Sequence, residues 1–464
     1  MSGIKERIFN NSPLWIKGGL LGVYSWLHSG SKYGPIYQAE LAALRSRAVM
    51  GASDLKKAQA DLLAQFLNSV RSTNYYYKSM MDRKGVDLYQ IEKDPVAALL
   101  SLDLMEKDFL KSNIDLLTDS PIDIAGVSHT SGTSGSPMKV PYEVSGYQKA
   151  FAYWRRFYDD MGLPDSFRNA RFSGRVLLGN ARNPDIFWVN DWFERRLFFS
   201  TYHMTDDNLS LYVARLNKYR PHLIDGYPSA LAILARYIES SGERLTFTPL
   251  AAAATAETLF DEDRVVIERV FGCRLYNQYA SSEGAPFITE CRSGRMHLNT
   301  DTGYFEFLDL ESGSNVKELV VTSFRNLKLP LIRYRIGDSV RLDSEGADRC
   351  TCGSRFPTIA NVEGRVDDLL YSTERGAIGR LDPVYKGVVG IKRSQIIQED
   401  ADVFTIIIVP DFEFNQSTLE KLEENFRARV GSSVSLRIDV VDDIPLSSNG
   451  KFRSVVNRSS RHPK

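Results

Sequence analysis

The stretch HTSGTSGSPMKV, from His129 to Val140, sets three Ser, two Thr and two Gly ahead of Lys139. Small residues let backbone N–H groups approach an anion, and hydroxyls donate further hydrogen bonds, so Thr130, Ser131, Gly132, Thr133, Ser134 and Gly135 can form a phosphate cradle. The same residue types also build ordinary surface turns. A Walker loop is excluded, because Gly135 is followed by Ser136 and Pro137 where that loop needs Lys and then Ser or Thr. Further along stand Y-A-S-S-E (Tyr279 to Glu283), Y-R-I-G-D (Tyr334 to Asp338), G-R-V-D-D (Gly364 to Asp368) and a Gly-Lys pair ending at Lys451. Taken singly these read as a strand end, a strand with a turn, and a hairpin turn at Asn449-Gly450. Cys291, His297, Cys350 and Cys352 form two close pairs of the ligands zinc takes. The Cys-x-Cys step is shorter than the usual Cys-x-x-Cys, and a reduced loop, or a disulfide partner set in an oxidising place, is the competing reading. Cys273, in the apolar run VFGCRLY, reads as core. With six histidines and no nucleophile elbow, there is no hydrolytic triad.

The elements that would position these residues follow from pattern. Residues 34–112 carry apolar residues at i, i+3, i+4 and i+7 and read as helices. Short apolar runs (RVLLGN, HLIDGY, LAAAAT, RLYNQY, ELVVTS) then alternate with helical patterns, which predicts an α/β arrangement with a largely parallel sheet. After about residue 366 the chain turns α+β: SQIIQED, VFTIIIVP and SLRIDVVDD read as strands and STLEKLEENFRARVG as a helix. The expected division is a helical segment over 1–110, an α/β core over 111–366 and a small C-terminal domain over 367–464.

The chain has 464 residues, with 58 Lys+Arg balancing 58 Asp+Glu, so no global field argues for nucleic acid or an anionic membrane. Four cysteines are no disulfide framework and fit a reducing cytoplasm. Residues 14–27 (LWIKGGLLGVYSWL) are too short to span a bilayer and no Ala-x-Ala cleavage site follows them. They predict a helix docked on the protein body; a helix lying in a membrane interface, anchored by Trp15 and Trp26, is the alternative.

In order, the hydroxyl-rich Gly loop, Y-x-x-x-E, Y-R-x-G-D, G-R-x-D-D and P-x-x-x-x-G-K-x-R (Pro445 to Arg453) resemble the motif succession of the adenylate-forming enzymes. HTSGTSGSP, DGYPSALAILARYI, TAETL, CRSGRMHLN, PLIRYRIGD, CTCGSRFP, EGRVDDLL and IPLSSNGKFR are most similar to the phenylacetate-coenzyme A ligase group, particularly its members from capsule and O-antigen gene clusters. The resemblance implies a large domain with a small mobile C-terminal lid. It also implies a reaction in which a carboxylic acid and ATP give an acyl-adenylate and pyrophosphate, after which a nucleophile takes the acyl group. Coenzyme A is the first candidate acceptor; an amine or sugar hydroxyl in polysaccharide biosynthesis is the second, and a nucleotide-binding protein without catalysis is a rival.

Carried over residue by residue, the resemblance makes Glu283 the Mg²⁺ ligand and sets Tyr279 and Ser282 beside the nucleotide. Asp338 would accept from the ribose hydroxyls, and Arg365 would contact the same nucleotide. Ala256 and Glu257 belong to a loop beside adenine, Asp367 or Asp368 to the hinge. Lys451 would reach the α-phosphate and carboxylate only when the lid closes, stabilising charge as it develops. His203 and Tyr227 would line the acyl pocket by analogy. The sequence departs from the pattern at Ser136, where relatives often carry Lys, leaving Lys139 as a substitute, and at Ala280, where many have Gly.

Overall fold

The computed structural model describes residues 12–129, 138–174, 178, 185–310, 314–343, 350–365, 370–374, 376–378, 381–385, 388–446 and 452–459. Thr130 to Gly135, Asp367, Asp368 and Lys451 lie outside them, as does the side chain of Arg365. Helices fill the first hundred residues, among them Leu14–Leu27, Pro35–Arg47 and Ala52–Thr73. The strands follow in order: β1 (Gly126–His129), β2 (Lys139–Tyr142), β3 (Asn169–Ser173), β4 (Trp188–Asp191), β5 (Arg196–Ser200), β6 (Leu223–Gly226), β7 (Ala251–Thr255) and β8 (Leu275–Tyr279). Next come β9 (Ile288–Glu290), β10 (Met296–Leu298), β11 (Gly303–Asp309), β12 (Val316–Ser323), β13 (Tyr334–Arg341), β14 (Thr358–Ile359) and β15 (Asn361–Arg365).

Among the described residues, nine strands form one mixed sheet in the order β14-β10-β9-β8-β7-β6-β3-β5-β4, with β5, β3, β6, β7 and β8 parallel. Parallel strands are covered on both faces, which explains the unbroken burial of LIDG in β6 and AAAA in β7. Alternate residues divide between two layers. Ile224, Ala252 and Ala254 face the helices Asp206–Tyr219, Pro228–Ser241 and Asp261–Phe271, while Leu223, Ala251 and Ala253 face Phe157 and Tyr158 of the helix Val144–Asp160. Each fully buried side chain such as Leu216 or Phe271 stabilises this layer by roughly 1.5–3 kcal/mol. The helix Pro228–Ser241 starts on Pro at its first position and stops at Gly242, whose φ of 74° suits a left-handed cap.

A second, antiparallel sheet, β11-β12-β13-β15, shares one apolar core with the N-terminal helices, where Leu67, Leu99 and Leu117 meet Leu319, Val321 and Tyr334. The helix Leu14–Leu27 is docked on β4: Lys17 Nζ donates to Leu178 O at 2.5 Å and Ser25 Oγ to Asp191 Oδ2 at 2.5 Å. No helix among the described residues is long and apolar enough to cross a membrane.

The C-terminal part adds β16 (Leu370–Ser372), β17 (Gly376–Ile378), β18 (Ile391–Asp400), β19 (Val403–Pro410), β20 (Ser435–Val440) and β21 (Val455–Asn457). Its sheet runs β20-β19-β18-β21 and packs against the helix Gln416–Val430, whose N-terminus Asn415 and Thr418 close as a capping box. Its core is drawn from residues 370–455 alone, with Phe404 edge-on to Phe426 at 5.4 Å.

Candidate active site

Because β3, β5, β6, β7 and β8 run parallel, their carboxyl ends open along one edge, the place where open α/β sheets bind ligands. His203, Tyr227, Ala256, Glu257 and Tyr279 lie at or just beyond those ends. His203 follows β5, with Nδ1 2.7 Å from Ser200 Oγ and its ring stacked on Phe187; burial lowers its pKa, which favours the neutral imidazole. Tyr227 follows β6, its N–H donating to Phe172 O, and is half-buried against the helical layer. Ala256 and Glu257 follow β7, and Ala256 holds a φ of 70°, a conformation that costs a non-glycine residue about 1 kcal/mol or more.

Tyr279 closes β8, and its Oη donates to Asp338 Oδ2 at 2.6 Å, so the Y-A-S-S-E and Y-R-I-G-D motifs meet although 59 residues separate them. Asp338 is turned to this position by Gly337 (φ 79°) and an irregular register between β12 and β13. On the other side Asp338 pairs in register with Arg365 of β15. Beyond Tyr279 the chain makes a tight turn, in which the N–H groups of Gly284 and Ala285 donate to Ser281 Oγ. Ser282 O accepts from Ser128 Oγ at 3.4 Å, which fixes the turn to the hairpin carrying the Gly-rich loop. Glu283 is only 6% exposed, and Lys107 Nζ lies 3.7 Å from its Oε1. A buried carboxylate oxygen on the turn bonded to Ser128 fits Mg²⁺ by donor chemistry. Lys139 is exposed at the mouth of that loop.

Glu257 also reaches the C-terminal domain. Its Oε2 accepts from Ser229 Oγ at 2.7 Å and its Oε1 from the N–H of Phe452 at 2.8 Å, the residue next to Lys451. Lys392 Nζ to Asp206 Oδ2 at 2.8 Å and the Phe260–Tyr385 ring pair at 6.1 Å hold the same interface.

Cys291, His297, Cys350 and Cys352 converge, with ligand atoms all within 4.8 Å of one another. Cys291 follows β9, His297 sits in β10, and the two other cysteines precede β14, so the cluster ties the edge of the main sheet to a loop some fifty residues on. His297 Nδ1 lies 2.8 Å from Phe356 O, which turns Nε2 toward Cys352 Sγ at 3.5 Å, and backbone N–H groups of Ser293 and Ser354 donate to Cys291 and Cys352 sulfurs. Burial opposes the Cys291 thiolate, but hydrogen bonds from His297 and backbone N–H groups outweigh it and hold the pKa at about 6. Burial likewise opposes charge on His297, yet its bonds to Cys291 and Cys350 carry it up to about 8. Three thiols and an imidazole at these separations fit tetrahedral zinc. Burial pushes the Cys273 thiol up to about 12, as suits an inert core position.

Sequence reasoning did not single out Lys107, Ser128, Ser281 or Arg325. Lys107 and Ser128 carry no motif, and their places depend on β1 and a helix start meeting a turn more than 150 residues later.

The architecture is that of the adenylate-forming ligases. A 2-hydroxyisobutyryl-CoA ligase, in its postadenylation state with R3-HIB-AMP, superposes with a TM-score of 0.68 over 89% of this chain and 91% of its own, at 17% identity. The same ligase with 2-HIB-AMP and CoA in the thioesterification state gives 0.54 over 89% and 92% of the two chains, at 16% identity. Among curated proteins, Protein CapK of Staphylococcus aureus is 29% identical over 454 residues, 97% of this chain and 98% of that protein. Residues 370–458 match the model of the CapK C-terminal domain.

Proposed function

We propose that this chain activates a carboxylic acid with ATP and Mg²⁺, forming an acyl-adenylate and releasing pyrophosphate, and then passes the acyl group to a nucleophile. The observation that carries the reading is the Tyr279–Asp338 hydrogen bond. It joins two separated motifs at the carboxyl edge of the sheet, within one tight turn of Glu283.

A carboxylate attacking the α-phosphate gathers negative charge, so the site must offer donors and cations aimed at oxygen. Asp338 accepts two ribose hydroxyls as readily as it accepts Tyr279, and Tyr279, so anchored, offers its ring to adenine. The loop from Thr130 to Gly135 holds phosphates through hydroxyls and N–H groups. Mg²⁺ on Glu283 supplies charge neutralisation at the phosphate oxygens. Arg365, opposite Asp338 in register, reaches the same nucleotide. Lys451 approaches the reacting oxygens from the C-terminal domain, which acts as a lid over 367–464 and pivots at Asp367 or Asp368. The docking of Phe452 on Glu257 supports that reading, because it ties the C-terminal domain to the core one residue along the sequence from Lys451. His203 and Tyr227, near the ends of β5 and β6, face the acid.

Coenzyme A is the proposed acceptor, supported by the shared fold of a CoA ligase whose two states differ in how well this chain superposes. An amide or ester to a sugar or amino-acid acceptor is the alternative outcome. The Cys/His cluster is proposed as a structural zinc site that clips the sheet edge. Exchange of labelled pyrophosphate into ATP with a panel of acids, followed by mass spectrometry of the trapped adenylate, tests the activity and names the acid. Nucleotide binding without exchange for any acid would instead indicate a protein that has lost catalysis.

A further inference from the structure

Arg325 lies in the loop between β12 and β13, and its guanidinium comes up against Gly284. A Cβ built on Gly284 would stand 2.3 Å from one terminal nitrogen of Arg325, 2.7 Å from Cζ and 3.0 Å from Nε. The charge therefore lies beside the residue that follows Glu283. Any larger residue here would displace the guanidinium, and the φ of 99° at Gly284 favours glycine independently.

The guanidinium has no partner among the described residues: no hydrogen bond, ion pair or ring face satisfies it. The nearby carboxylate, Glu143, is committed elsewhere. Its Oε1 accepts from Ser145 Oγ and the N–H of Leu327, both at 3.0 Å, and its Oε2 from the N–H of Lys328 at 3.1 Å. Tyr142 and Tyr153, the other groups facing Arg325, are neutral phenols. Burial lowers the pKa of Arg325 and outweighs the opposing pull of Tyr153, Glu143 and Tyr142. A partly buried guanidinium with no hydrogen-bonding partner among the described residues is placed to receive its counter-charge from a ligand or a reaction step. Lys107 completes a cationic rim around Glu283, at 3.7 Å on the side of its Oε1.

We propose that Arg325 binds an oxyanion of the reactants beside Glu283, either a phosphate oxygen of the nucleotide or the carboxylate of the acid. This rests on the adenylating activity proposed above. A guanidinium fork suits either group, since both present paired oxygens.

The test compares full-length wild type, R325Q and R325K by titration with MgATP and with Mg-pyrophosphate, by pyrophosphate exchange against the acid panel, and by thermal melting with and without inorganic phosphate. R325Q should weaken binding or raise KM for one reactant by about 10- to 100-fold, the range of a hydrogen bond to a charged group, with partial rescue in R325K. Loss on MgATP or pyrophosphate identifies phosphate as the oxyanion; loss confined to the acid KM identifies the carboxylate. Inorganic phosphate should raise the Tm of wild type more than that of R325Q. The ligand-free Tm of R325Q should equal or exceed wild type, because an unpaired charge has been removed. Unchanged constants for every reactant, or a lowered Tm with unchanged constants, would overturn the proposal. A wild type that binds no MgATP sinks the adenylation reading, and the phosphate melting arm still decides the oxyanion site.

Discussion

Tyr279 and Asp338 show what a residue type reveals and what it hides. Their letters marked both as candidates, yet nothing in the spacing tells that a phenol would bond the carboxylate at 2.6 Å. In Tyr279→Phe the Asp338 carboxylate loses that donor, a net cost of about 0.5–1.5 kcal/mol. We expect KM for ATP to rise about two- to tenfold with kcat little changed; an unaltered KM would separate the pair from the nucleotide. Gly284 sits between Glu283 and Arg325 with a φ of 99°, and a Cβ there would push the Arg325 guanidinium aside. Gly284→Ala should therefore lose about 1–3 kcal/mol of stability in denaturant melts and most of the exchange activity. Arg325 was not legible at all: an arginine in a loop is ordinary, and only the fold shows that its guanidinium lies beside the turn that carries Glu283.

At the scale of elements, patterning went far. Helical periodicity over 34–112, the buried runs of β6 and β7 and the capped helix Gln416–Val430 all stand where apolar spacing places them. Strand pairing was not readable, because β10 lies beside β14 through contacts some sixty residues apart. The lid contact of Glu257 was also hidden, since a loop acid carries no mark of a partner 195 residues later. Glu257→Ala should release the Phe452 amide, seen as faster hydrogen exchange there, and slow adenylation about tenfold while MgATP affinity holds. A fall in MgATP affinity without faster exchange would make Glu257 a nucleotide contact. The cluster of Cys291, His297, Cys350 and Cys352 should hold one zinc per chain by elemental analysis. Removing it with a strong chelator should lower Tm by several degrees, whereas chelation without effect on Tm would argue against the clip.

For the whole molecule, separate apolar sets build separate cores. Residues 370–455 bury Phe404, Leu422 and Phe426 among themselves, and the N-terminal helices share theirs with the second sheet. Motif order was readable because each motif is local; the relative setting of the domains was not, since it depends on few contacts such as Lys392 with Asp206. Phe426→Ala removes a fully buried ring and should cost about 3–5 kcal/mol, melting the C-terminal domain ahead of the core in calorimetry. The central claim is adenylation with Lys451 delivered by that domain. Pyrophosphate exchange into ATP, measured for wild type and Lys451→Ala against the acid panel, tests it most directly. Wild type should show acid-dependent exchange and the variant a loss of about a hundred- to a thousandfold, with MgATP binding retained. Wild-type exchange rates in Lys451→Ala would contradict it.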